Sequence, residues 1–103
     1  MIHVHLLLTR TLTPTGTVDA RFDVRTWVSV ARVDTVTPLT AEGKRTEHLP
    51  DQCRSVIRYL DAINGYRLLY VGDDDQELAR KVSRARRGED PLAPDFSELF
   101  GPG

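Results

Sequence analysis

Residues 2–13 read Ile-His-Val-His-Leu-Leu-Leu-Thr-Arg-Thr-Leu-Thr, and residues 16–28 read Gly-Thr-Val-Asp-Ala-Arg-Phe-Asp-Val-Arg-Thr-Trp-Val. In the first stretch Ile2, Val4, Leu6, Leu8 and Leu12 alternate with His3, His5, Thr9 and Thr11. In the second, Val18, Ala20, Phe22 and Val24 alternate with Asp19, Arg21, Asp23 and Arg25. A period of two with one apolar face is the signature of antiparallel strands. The connecting turn is constrained by parity. A loop of Pro14 and Thr15 alone sets Leu8 against Arg21, whereas a loop of Pro14, Thr15 and Gly16 pairs Leu8 with Phe22 and Leu6 with Val24. The longer loop needs a residue at positive φ, which Gly16 adopts at little cost, so the sequence favours it.

Alternation continues through Val28 and Val30 and then changes phase, because Val33 and Val36 break the parity. An unbroken strand forbids this, so a bulge or tight bend is expected near Ala31–Arg32, of the kind that curls a small sheet toward a barrel. Residues 37–49 show no period and read as a long loop. Residues 50–64 fit two templates. As a helix, Cys53, Val56, Ile57, Leu60 and Ile63 form one stripe, with Pro50 in the first turn and Asn64–Gly65 as the cap. As a strand, Ser55–Leu60 runs into a turn at Asp61–Gly65 and returns through Tyr66–Val71. Periodicity alone leans toward the helix. Residues 74–87 are expected to be helical: Asp73 caps with Gln76 three residues on, Leu78, Val82 and Ala85 share a face, Glu77 and Lys81 are spaced to pair, and Gly88 ends the element.

The stretch Trp27-Val-Ser-Val-Ala-Arg-Val-Asp-Thr-Val-Thr-Pro38 resembles the strand–bend–strand unit of small barrel proteins related to the FlbD-type flagellar family, and is similar to short proteins of actinobacterial phages. In that pattern a bent strand is followed by a glycine-turn hairpin and a short C-terminal helix. Ser55–Leu60, Asn64–Gly65, Arg67–Val71 and Gln76–Val82 would fill those later slots. The likeness covers about residues 22–85. It implies a strand at 54–60 and carries no functional residues to transfer.

The chain has 103 residues, 14 basic against 15 acidic, for a net charge of −1. That length implies one domain with a single core, burying roughly two-thirds of its unfolded surface. One cysteine excludes an intramolecular disulfide framework. No apolar run reaches the ~18 residues of a membrane span, and the N-terminus lacks the basic leader of a signal peptide, so a cytoplasmic protein is expected. The neutrality hides a split. Glu89, Asp90, Asp95 and Glu98 lie in the last fifteen residues and no Lys or Arg does, which leaves residues 1–88 net positive. The expected organisation is a globular domain over 1–88 and an acidic tail over 89–103. The fold class is α+β: a strongly bent antiparallel sheet or partly open SH3-like barrel with a helix at 74–87. The alternative adds a helix at 50–64.

Candidate chemistry is sparse. His3 and His5 face the same way on a strand, and His48 and Cys53 could join them at a metal only if the loop folded over. Surface histidines without a ligand are much commoner, and no metal or cofactor is expected. Gly43-Lys44-Arg45-Thr46 lacks the upstream glycine of a phosphate loop, and no buried strand leads into it. Asp73, Asp74 and Asp75 point in different helical directions and read as a cap with dipole-favoured acids. Cys53 and His48 are the only nearby nucleophile–base pair, and no oxyanion element accompanies them, so no enzyme is expected. The tail places Phe96, Leu99 and Phe100 on one helical turn beside acids, with Asp95 as its cap, which is the composition of a docking peptide.

The sequence therefore points to a non-catalytic binding protein acting through protein contacts, encoded by a phage or mobile element of a GC-rich host and directed at a host protein. Recognition is expected on the 37–49 loop and the 95–100 turn, with a homodimer also compatible. The rival is a nucleic-acid binder using the basic face Arg80, Arg84 and Arg87.

Overall fold

The computed structural model describes residues 1–61 and 65–87. They form strands β1 (Ile2–Thr13), β2 (Gly16–Val28), β3 (Val33–Pro38), β4 (Ser55–Asp61) and β5 (Gly65–Val71), and helices α1 (Ala41–Thr46) and α2 (Asp75–Arg86). A 3-10 turn at Val30–Arg32 joins β2 to β3. All neighbours are antiparallel and the order is β2-β1-β5-β4-β3, so β2 and β3 are the two edges of an unclosed sheet. The fold is α+β.

The β1–β2 hairpin realises both registers that the sequence set against each other. Leu6 faces Val24 as expected, but Leu8 faces Arg21, and Thr13 faces Gly16, so the loop is the two residues Pro14 and Thr15. Gly16 has φ +136, and the Thr13 hydroxyl donates to its carbonyl at 2.8 Å. The registers coexist because both ladders slip at Leu7: against β2 it lies opposite two residues, Phe22 and Asp23, and against β5 Leu7 is itself the extra residue. The slip moves the apolar set of β1 from one face of the sheet to the other. Ile2, Val4 and Leu6 join Val28, Val33, Ile57, Leu69 and Val71 beneath Leu78 and Val82 of α2. Leu7 and Leu8 join Leu49, Cys53 and Tyr70 on the opposite side. Each face thus has its own small core.

Strand β2 departs from the expected half-buried pattern: of its residues only Val28 is buried. Helix α2 packs on β3, the 3-10 turn and β1, and of β2 only Val28 joins the buried core beneath it. The bend expected at Ala31–Arg32 is the 3-10 turn, and a second slip between Val33 and Thr35 accounts for the phase change that follows.

The helix alternative at 50–64 is not formed. Ser55–Asp61 pairs with β3 on one side and β5 on the other. Two ladders satisfy that backbone, and alternation sends Ile57 to the α2 core while Val56 turns to the other. Tertiary pairing outweighs the helical stripe. The 37–49 segment is likewise not one loop. It holds the end of β3 and helix α1, whose N-cap Thr40 accepts a hydrogen bond from the Gly43 N–H at 2.9 Å. Helix α2 is capped by Asp74, not Asp73. The Asp74 carboxylate accepts from the Gln76 and Glu77 N–H groups.

Candidate interaction surface

The β1–β2 hairpin carries most of the exposed large hydrophobic residues among those described. Val18 is 58% exposed, Phe22 42%, Val24 47% and Trp27 44%. Side chains alternate along a strand, so Val18, Ala20, Phe22 and Val24 share one face of β2 and Asp19, Arg21, Asp23, Arg25 and Trp27 the other. The register agrees: Val24 lies opposite Leu6 of the α2-side core, and Arg21 opposite Leu8 of the other.

The charged face is ordered from below by β1. The Arg10 guanidinium, its side chain 13% exposed, holds both carboxylate oxygens of Asp19 at 2.9 and 3.0 Å and reaches Glu47 at 2.7 Å. It also lies 5.5 Å from the centre of the Tyr70 ring. The hydrogen bonds from Arg10 hold the Asp19 carboxyl below its usual range, and the same bonds raise Arg10 itself. Burial pushes the Tyr70 phenol up. Farther along, His5 Nε2 lies 2.6 Å from Asp23, and the His3 ring packs on Trp27 with centroids 4.6 Å apart.

No protein-family model, curated protein or solved structure matches this chain.

The sequence-predicted residues fall as follows. Phe96, Leu99 and Phe100, with the rest of the acidic tail and Gly88, lie outside the described residues. Arg80 and Arg84 are exposed on α2, and Arg87 is exposed at its C-cap. Their neighbours are committed elsewhere: Lys81 reaches the His3 carbonyl, Asp73 and Glu77, and Arg86 donates to the Val33 carbonyl at 2.7 Å. His3 and His5 do lie on one face, but each is engaged by a residue of β2. Among the described residues no group of three or more His, Cys, Asp or Glu side chains could hold a metal ion. Cys53 is fully buried, and that burial raises its thiol above the ordinary value. Of the three aspartates, Asp74 caps, Asp75 opens α2, and Asp73 accepts from the His5 backbone N–H at 2.7 Å.

The exposed stripe of β2 went unseen in the sequence because alternation marks two unlike faces without saying which is covered. The signal available was the other face, where Asp19, Arg21, Asp23 and Arg25 alternate in sign.

Proposed function

We propose that this is a non-catalytic protein that acts by contact with another protein, through the outer strand of its β1–β2 hairpin. The observation that carries this reading is the exposure of Val18, Phe22 and Val24 on one face of a sheet edge, with Trp27 exposed on the other face. Contiguous apolar surface beside unpaired backbone groups is a docking edge unless something blunts it. The acidic tail with Phe96, Leu99 and Phe100 and the α1 segment are secondary contact surfaces in the same reading.

A partly open SH3-like barrel belongs to this proposal. Val28 and Val33 end and begin strands on opposite edges of the sheet. Five residues of chain span at most ~18 Å, whereas four flat inter-strand gaps span about 19 Å, and the intervening 3-10 turn shortens the reach further. Such a sheet has to curl. That curl agrees with the strand–bend–strand likeness to FlbD-type and phage proteins. Together with 12 Arg against 2 Lys, it supports an origin in a phage or mobile element, with a host protein as target in the host cytoplasm.

A second reading, nucleic-acid binding on α2, is favoured by the exposed Arg80 and Arg84 one turn apart. Salt separates the two. Capture of a partner from host extract by the full chain, compared with Phe22→Ser/Trp27→Ser, should be lost in the variant and change little with salt. Retention on nucleic acid that collapses between low and moderate salt, and that Arg80→Ala/Arg84→Ala abolishes, would establish the rival instead.

A further inference from the structure

Among the described residues nothing pairs with the outer edge of strand β2, and that edge carries a self-complementary charge pattern. The edge runs for 13 residues from Gly16 to Val28. The closing pair Thr13–Gly16 of the two-residue loop exchanges its backbone bonds, which turns Thr17, Asp19 and Arg21 away from β1. Beyond the slip His5 gives its N–H to Asp73 and its C=O to Gly72, so Leu6 turns its backbone to Val24, and Asp23, Arg25 and Trp27 again turn away. These are also the residues on the charged face. We propose that a second copy of this chain pairs with that edge, β2 against β2, antiparallel, about a two-fold axis at Phe22. The proposal rests on the protein-contact reading above and puts a second copy, in place of a host protein, on this edge.

Charge sets the register. With the axis on Phe22, Asp19 faces the partner's Arg25 and Arg21 faces the partner's Asp23, each pair occurring twice by symmetry. Thr17 faces the partner's Trp27. On the other face the two Phe22 rings meet at the axis, flanked by Val24 against the partner's Ala20. Backbone parity allows only shifts that move the axis by whole residues. With the axis on Arg21, Asp19 would face the partner's Asp23 and the two Arg21 would meet. With the axis on Asp23, two aspartates meet and Arg21 faces the partner's Arg25. Directly opposed like charges are unfavourable, so the neighbouring registers are disfavoured by the same four residues that favour this one. Charges on an edge strand ordinarily keep strands apart. Here the signs alternate so that one pairing satisfies them all. The acids are already held in place, Asp19 by Arg10 and Asp23 by His5. Arg21 and Arg25 are exposed and form no ion pair among the described residues.

The test is a charge swap on the full chain, read by light scattering after gel filtration and by sedimentation equilibrium, with circular dichroism to establish folding. The unaltered protein should have twice the chain mass. Arg21→Asp alone and Asp23→Arg alone should each be monomeric, because each opposes like charges twice. Mixed in equal amounts they should return to the dimer mass, since every pair across the axis is then opposite. Two facing residues on an axis of this kind have Cα atoms about 4.5 Å apart. Phe22→Cys should therefore yield a disulfide-linked dimer without reductant, and Ala20→Cys should not; Cys53 is buried and does not compete. A monomer at every concentration, folded single variants that remain dimeric, a mixture that stays monomeric, or cross-linking at Ala20 in place of Phe22 would each overturn the proposal. If the monomeric protein still captures a different protein in a way that Phe22→Ser/Trp27→Ser abolishes, only the second-copy inference falls. If that variant changes neither mass nor capture, the protein-contact reading falls with it.

Discussion

The Arg10 guanidinium grips both carboxylate oxygens of Asp19 from the neighbouring strand and the Glu47 side chain from the end of α1, joining the hairpin to the segment that covers the second core. Arg10→Ala removes charge-assisted bonds whose acceptors are partly exposed, and should cost about 1–2 kcal/mol in urea unfolding. The pH dependence has a definite sign. Asp19 has a folded pKa below its unfolded one, so its contribution is fully present above about pH 4 and is lost as pH falls through the folded value. Asp19→Asn should flatten the acid limb of the stability curve while leaving the neutral-to-alkaline limb in place. An acid limb unchanged by that substitution would contradict the pairing.

The adjacent aspartates before α2 should respond differently to substitution. Asp74 caps through its side-chain oxygen, so Asp74→Asn should be tolerated and Asp74→Ala should cost about 1 kcal/mol. Asp73 is nearly covered, at 9% exposure, and binds the His5 N–H and Lys81. Asp73→Ala leaves the His5 N–H without its acceptor, while Lys81 keeps the His3 carbonyl and Glu77, and should cost about 1–3 kcal/mol. Thermal unfolding of these variants and of Asp73→Asn checks the order. A neutral Asp74→Ala, together with an Asp73→Asn that is tolerated where Asp73→Ala is not, would return the cap to Asp73.

The contrast between these two aspartates shows where sequence reading reaches its limit. The hairpin, the bend at Ala31–Arg32, the inner face Leu78–Val82–Ala85 and the Glu77–Lys81 pair were legible, because each is set by local period or spacing. The cap was misplaced by one residue because Asp73 is drawn to His5, distant in sequence. Residues 53–60 carry a helical stripe that loses to two strand ladders, which are non-local. The slip at Leu7 defeated the parity argument for the loop, since that argument presumed one register along the whole strand. Of the candidate surface, the charges were visible in the sequence, but the exposure of Phe22 and Val24 depends on how far α2 extends.

Cys53 tests the second core. It is fully buried and its thiol is raised by that burial, so a thiol reagent should leave the native protein unmodified and react once per chain in denaturant. Cys53→Ser places a hydroxyl among Leu7, Leu8, Leu49 and Tyr70 and should cost about 1–3 kcal/mol, more than Cys53→Ala. Rapid labelling of the native protein would mean that the 49–54 segment does not close over this face.

Leu78 and Phe22 are both large and apolar, and they should behave in opposite ways. Leu78 is fully enclosed by the α2-side core, so Leu78→Ala should cost about 2–5 kcal/mol and lower the unfolding midpoint at every protein concentration. Phe22 is 42% exposed on an edge strand, and Phe22→Ser removes little buried surface from a single chain. Its intrinsic cost should stay under about 1 kcal/mol. If the apolar face of β2 is covered only on association, however, the unaltered protein gains stability with concentration while Phe22→Ser does not. Unfolding midpoints measured over a hundredfold dilution series therefore discriminate. A Phe22→Ser variant as destabilised as Leu78→Ala when dilute would place Phe22 in the core of the single chain, and the exposed face of β2 would then have no apolar centre to present.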